Sequence, residues 1–136
     1  MVLVAATIAN EGTMPAPYLV SDVEDSSGGV RVEKQSGAPR PVISPQAAAE
    51  MNGMMQKSVD EAYARPAQIP GVRVGGKTGT AEVGTAEDPH SWFVGYAPAD
   101  RSGIAVAVIM ENRGSGTLYA TPAGQKVLKA ALDLGY

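Results

Sequence analysis

The chain has 136 residues, 44% of them hydrophobic and 18% charged, with a formal net charge of −3 and no cysteine. That size suits one small domain or a piece of a larger one, with enough apolar content for a packed core. The acidic balance argues against nucleic-acid binding, and the lack of cysteine excludes disulfides, thiolate-held zinc and thiol catalysis.

Met1 to Asn10 reads as a short helix with almost no polar face, ended by Asn10-Glu11-Gly12. A helix that is apolar all round needs burial on several sides, so the expectation is that preceding residues once covered it. It lacks the basic flank and cleavage site of a secretion signal, and no run reaches the roughly 20 apolar residues of a membrane span. Pro17 to Val23 and Val30 to Lys34 flank the glycine-bearing loop Asp25-Ser26-Ser27-Gly28-Gly29, a hairpin pattern. Ser44-Pro45 supplies an N-cap and a first-turn proline. From there to about Ala64, Ala48, Met51, Met55, Val59 and Ala62 recur at helical spacing and are assigned to core packing. Three strand-like runs follow: Gly71 to Thr80, Ser91 to Tyr96 and Ile104 to Met110. The last is continuously apolar, so both its faces should be covered. The loop from Pro98 to Gly103 is short enough to make the last two strands antiparallel neighbours. Thr121-Pro122 opens a final helix, with Val127, Leu128, Ala131 and Leu132 as its stripe. The predicted fold is α+β, an antiparallel sheet sandwiched by helices.

The informative stretch is Gly71-Val72-Arg73-Val74-Gly75-Gly76-Lys77-Thr78-Gly79-Thr80-Ala81-Glu82. Gly71, Gly76, Lys77 and Thr78 satisfy the phosphate-loop pattern G-x-x-x-x-G-K-[ST]. Its context fails, because Val72-Arg73-Val74 alternates like a strand where a loop should be. Gly79, Thr80, Gly84 and Thr85 then make poor helix where a phosphate-cradling helix should start. Glu111 after an apolar strand imitates the matching acidic residue only superficially. The second reading is the K-T-G element of serine enzymes that also carry S-x-x-K and S-D-N. A strand at a cleft edge offers backbone groups to an extended peptide, and Gly79 allows close approach. Lys77 supplies positive charge, while the Thr78 and Thr80 hydroxyls can bind a carboxylate.

Other candidates are weaker. His90, near Asp88, Ser91, Glu82 and Glu87, shows no convergent spacing and is expected in an exposed loop. Trp92 is expected to pack sheet against helix. Ser115 does not complete G-x-S-x-G.

The surroundings of K-T-G carry a resemblance. Val4 to Gly12 with Pro17-Tyr18-Leu19-Val20 resembles the helix and strand that follow S-x-N in class B penicillin-binding proteins. Gly76 to Glu82 resembles their K-T-G strand in its longer G-K-T-G-T-A-E form. Trp92 to Pro98, Ile104 to Asn112 and the closing helix Pro122 to Leu132 resemble the elements after it. The likeness spans nearly the whole chain, in order, and points to the elongation and division transpeptidases of cell-wall synthesis. One departure is Ser58-Val59-Asp60-Glu61-Ala62, which stands where the family often runs into a Gly-Thr-Ala stretch.

The resemblance implies a peptidoglycan D,D-transpeptidase with no metal or cofactor, whose partners are D-Ala-D-Ala stem peptides and β-lactams. Lys77 would stabilise the substrate carboxylate and polarise the S-x-N serine. Thr78, Gly79 and Thr80 would bind substrate, and the Thr80 backbone N–H would form half of an oxyanion hole. A β-lactamase, carboxypeptidase or penicillin-sensing receptor is the alternative, and an interaction module without catalysis is a third. None of the nine serines has lysine three residues on or asparagine two residues on, and no tyrosine offers Y-x-N. The expectation is that residues 1–136 are the C-terminal portion of one transpeptidase domain, with the nucleophile upstream and this chain inactive alone. The longer parent would be anchored to the cell membrane, with this domain outside the cytoplasm.

Overall fold

The computed structural model describes residues 1–33, 37–84, 86–100 and 103–136. The predicted strand end at Lys34, Thr85, and Arg101-Ser102 of the predicted connector lie outside the described residues.

The first helix, α1 (Val2–Ala9), ends where Glu11 and Gly12 turn left-handed, with φ of 51° and 88°. Ala5 and Ile8 are buried, whereas Met1, Val2 and Val4 stay open to solvent. Two short strands were not foreseen: β1 (Thr13–Met14) pairs antiparallel with β4 (Arg40–Pro41). The predicted hairpin forms from β2 (Asp22–Glu24) and β3 (Val30–Glu33). Its first strand begins at Asp22 rather than Pro17; Pro15 and Pro17, which have no N–H to give a ladder, lie in the irregular segment before it. In its loop the Asp25 carboxylate accepts from the Ser27 hydroxyl, the Ser27 and Gly29 backbone N–H groups and Arg31 Nε. Those donors, the Ser27 hydroxyl foremost, hold its pKa down to about 2.

Helix α2 (Pro45–Glu61) starts as its sequence demands: the Ser44 hydroxyl accepts the Ala47 N–H at 3.1 Å and Pro45 fills the first turn. Ala48, Met55 and Val59 of its stripe are buried, but Met51 and Ala62 are exposed.

The main sheet is an antiparallel meander of β5 (Gly75–Ala81), β6 (His90–Ala97) and β7 (Ile104–Met110), with β6 central. Its register sets Thr80 opposite Ser91 and Ser91 opposite Met110. Strand β5 starts four residues later than predicted, because Gly71 at φ 76° makes a turn closed by an Ile69–Val72 bridge. Helix α3 (Ala120–Asp133) covers one face, where Phe93, Ala97 and Leu128 are buried with Val106 and Val108 against them. Helix α1 and part of α2 cover the other, where Ala5, Ile8, Met55 and Tyr96 cluster with Val94 and Ala105. Near its C-terminal end α2 crosses the start of β5, so Val59 joins the α3-side core.

The predicted sandwich is therefore present. Both faces of β7 meet helices, yet six of its seven residues are only half-buried and Ile109 is exposed, β7 being an edge strand among the described residues. One packing assignment changes: Trp92 is half-buried, and its neighbour Phe93 is the residue that meets α3, beside Gly124. Alternate strand residues face opposite ways, and α3 lies on the odd-numbered side of β6.

Candidate functional site on strand β5

Lys77, Thr78, Gly79 and Thr80 occupy the middle of β5, whose second edge has no strand partner among the described residues. The phosphate-loop alternative fails here, since Lys77 and Thr78 lie within a strand and the next helix begins only at Ala120.

The exposed edge carries a definite set of backbone groups. In an antiparallel strand every second residue points both its N–H and C=O away from a given neighbour. Within the ladder the Gly75 carbonyl oxygen lies against β6, 2.8 Å from where a Cβ on Gly95 would sit. Continued by twos, that alternation turns Gly75, Lys77 and Gly79 toward β6 and leaves the Thr78 and Thr80 backbone groups outward. Lys77 Nζ donates to the Thr78 carbonyl, as expected for a carbonyl free of the ladder.

Side chains divide differently. Lys77 shares its face with Val94, and its exposed side chain borders an apolar cavity of about 450 Å³ lined by Met1, Val4, Ile8, Met51, Met54 and Met55. None of the ion pairs among the described residues involves Lys77. Thr78 and Thr80 lie on the α3 face, where the Thr80 hydroxyl oxygen accepts the Gly116 N–H at 3.3 Å. Its own proton stays available for an acceptor. A side chain at Gly79 would meet the Trp92 Cβ at 3.1 Å, a tight contact that a shift of a few tenths of an ångström would relieve.

His90 is not in an exposed loop. It opens β6 half-buried, and its Nδ1 accepts the Asn112 N–H at 3.1 Å, pinning the turn after β7. Among the described residues no His, Asp and Glu side chains gather as metal ligands, and no helix is long and apolar enough to cross a membrane.

Sequence reading missed three supporting residues. Ser91, fully buried opposite Thr80, donates to the Ser115 carbonyl and accepts the Ala120 N–H, both at 3.0 Å. Thr121, also buried, donates to the Gly116 carbonyl at 2.8 Å. Gly116 lies directly on the Gly79 backbone. Their sequence neighbourhoods hold no motif, because the bonds that tie Ser91 to Ser115 and Ala120, and Gly116 to Thr80, span 24 to 36 positions along the chain.

The strand can thus bind an anion beside Lys77 and offer outward N–H groups. It holds no nucleophile activated by an adjacent base, since neither threonine hydroxyl contacts a histidine or carboxylate among the described residues.

A family model described as penicillin binding protein transpeptidase domain matches residues 1–133. The chain is 38% identical over 138 residues to peptidoglycan D,D-transpeptidase PbpA of Mycobacterium tuberculosis, covering 96% of this chain and 28% of that protein. Stage V sporulation protein D of Bacillus subtilis is 32% identical, covering 98% of this chain and 22% of its own length. The chain therefore spans between a fifth and a third of these relatives. Among solved structures, the ceftriaxone acyl-enzyme complex of penicillin-binding protein A from M. tuberculosis superimposes with a TM-score of 0.88 at 36% identity, over 96% of this chain and 31% of that one. The D,D-transpeptidase domain of a peptidoglycan glycosyltransferase from Eggerthella lenta also gives 0.88, at 34% identity over 98% and 31%. With sequence and fold in agreement over nearly its whole length, the chain belongs to the penicillin-binding protein transpeptidase domain family.

Proposed function

We propose that this chain supplies the substrate-holding strand of a serine D,D-transpeptidase that cross-links peptidoglycan stem peptides and is acylated by β-lactams. The observation that carries the reading is Lys77-Thr78-Gly79-Thr80 on an open-edged strand, with the backbone groups of both threonines directed outward.

A serine from an S-x-x-K segment, which this chain does not contain, attacks the carbonyl carbon between the two D-alanines. The serine ester forms, the peptide bond breaks, and the terminal D-alanine leaves as its amine takes up a proton. An amine of a second strand then attacks the ester, making the cross-link and freeing the serine. The Thr80 N–H, with the N–H of that serine, stabilises the oxyanion of each tetrahedral intermediate. The Lys77 ammonium and the Thr78 and Thr80 hydroxyls hold the terminal carboxylate of the donor peptide. Lys77 also polarises the S-x-N serine. No step calls for a metal or cofactor.

The serine-bearing part of the domain belongs on the cavity bordered by α1, α2 and Lys77. Met1, Val4 and Met54, each 49% to 63% exposed, line a surface suited to burial. Cross-linking of peptidoglycan puts the domain outside the cytoplasmic membrane, held there by an anchor in the longer protein.

The test is a chimera in which this chain replaces the matching region of the mycobacterial relative. It should form a stable adduct with labelled penicillin. Lys77→Ala should lower the acylation rate on the order of 10²-fold or more while leaving the far-UV circular dichroism unchanged. Lys77→Arg should restore only part, because a planar fork does not replace a compact ammonium. Unimpaired acylation in Lys77→Ala would overturn the assignment. A nucleotide loop would instead lose ATP binding and keep acylation.

A further inference from the structure

We infer that Gly116 is a positioning residue for the substrate-holding strand, fixing Gly79 and Thr80 by direct contact; the inference rests on the transpeptidase reading above. A Cβ at Gly116 would fall 2.3 Å from the Gly79 carbonyl oxygen, 2.6 Å from the Trp92 carbonyl oxygen and 2.9 Å from the Gly79 nitrogen. All three neighbours are backbone atoms of β5 and β6, so no side-chain rotation makes room. Gly116 does not occupy the left-handed region, unlike Gly114 at φ 78° two residues before it. Its need for glycine is therefore one of proximity and not of backbone conformation.

The contact is held from both ends. The Gly116 N–H donates to the Thr80 hydroxyl oxygen at 3.3 Å. Its carbonyl accepts from both the hydroxyl and the N–H of Thr121, at 2.8 and 2.9 Å. The preceding carbonyl, of Ser115, accepts from the buried Ser91 hydroxyl, which also accepts the Ala120 N–H. The start of α3 and strand β6 thus clamp residues 115–116 onto the α3 face of β5, directly behind Gly79 and Thr80. This clamp sets how far the outward Thr80 N–H projects and which way its hydroxyl proton points. Displacing the strand there weakens transition-state contacts more than initial binding, because a hydrogen bond to a developing oxyanion is the more sensitive to geometry.

In the chimera, Gly116→Ala should lower the first-order acylation constant by about tenfold or more, in line with the cost of sub-ångström to ångström misplacement. The pre-covalent dissociation constant should move far less. Thr121→Val keeps shape and removes one of the two bonds to the Gly116 carbonyl; it should lower the same constant a few-fold. Leu128→Ala, a buried change elsewhere in α3, gives a destabilised comparator whose acylation constant should stay near that of the parent. Should Gly116→Ala misfold, Thr121→Val decides alone. Acylation at the parental rate in folded Gly116→Ala, or in Thr121→Val, overturns the inference, as does an equal loss in Leu128→Ala. A parent chimera that reacts normally while these variants also react normally sinks only this inference; a parent that is never acylated sinks the functional reading with it.

Discussion

The two faces of the β5–β6–β7 sheet are finished to different degrees. On the α3 side, Phe93, Leu128, Ala97 and Ala120 are entirely buried, and Gly124 lets the helix backbone come close to the Phe93 ring. On the α1 and α2 side, Tyr96 and Met55 are buried, but Met1, Val4, Met51 and Met54 border an open cavity. Lys77 stands at the rim of the second face, and the hydroxyls of Thr78 and Thr80 project on the first. Close packing thus lies on one face of the strand and the unfilled apolar surface on the other, and Lys77 Nζ reaches the Thr78 carbonyl at the edge between them. A strand that must hold a substrate to sub-ångström tolerance gains from a tight backing, and the open side suits the arrival of other groups.

The largest expected contrast is in stability. Phe93→Ala should cost about 3–5 kcal/mol in urea unfolding, the usual range for a truncated buried aromatic. Met54→Ala, on the open side, should cost less than about 0.5 kcal/mol. Similar losses for the two would break the contrast between the faces.

A second expectation concerns association. Exposed apolar surface around Met1, Val4, Met51 and Met54 should make the isolated chain self-associate with concentration and bind a hydrophobic dye. Replacing Val4 and Met54 by Gln should reduce both signals in sedimentation and fluorescence. A parent chain that is monomeric at all concentrations and binds no dye would contradict an open face.

The smallest effect lies away from the sheet, in the β2–β3 hairpin. The folded Asp25 carboxyl titrates at about 2 against an ordinary 3.8, so its ionised form favours the folded loop. That contribution is complete above about pH 4 and is lost as the pH falls toward 2. The Gly29 amide resonance should follow this titration, and Asp25→Asn should abolish it. The half-buried group sits in a hairpin that joins neither core cluster, so global stability should hardly respond.

Much of this was legible in the sequence because the signals were local. Ser44-Pro45 announced α2, Thr121-Pro122 came within a residue of the start of α3, and the apolar run at Ile104 marked β7 to the residue. The G-K-T-G-T-A-E stretch located the candidate strand, though its N-terminal limit slipped because Gly71 turns where alternation suggested extension. What escaped depends on tertiary contact. Whether Trp92 or Phe93 faces α3 follows from which side the helix docks, and His90 was drawn into β6 by pairing with Ala81. The β1–β4 pair is two residues long and lies too close to Pro39 and Pro41 to read as strand. The clamp of Ser91, Gly116 and Thr121 on Thr80 links segments distant in sequence, and none of those residues advertises it.

Under the proposed function the labour is divided: this chain would bring the substrate-holding strand, and the attacking serine would lie outside residues 1–136. The most direct measurement is intact-mass spectrometry after exposure to labelled penicillin, run on the isolated chain and on the chimera with the relative's serine-bearing segment. The account predicts no covalent adduct on the isolated chain and one penicilloyl group per chimera, bonded to a serine outside residues 1–136. A stoichiometric, hydrolysable adduct on the isolated chain would contradict it.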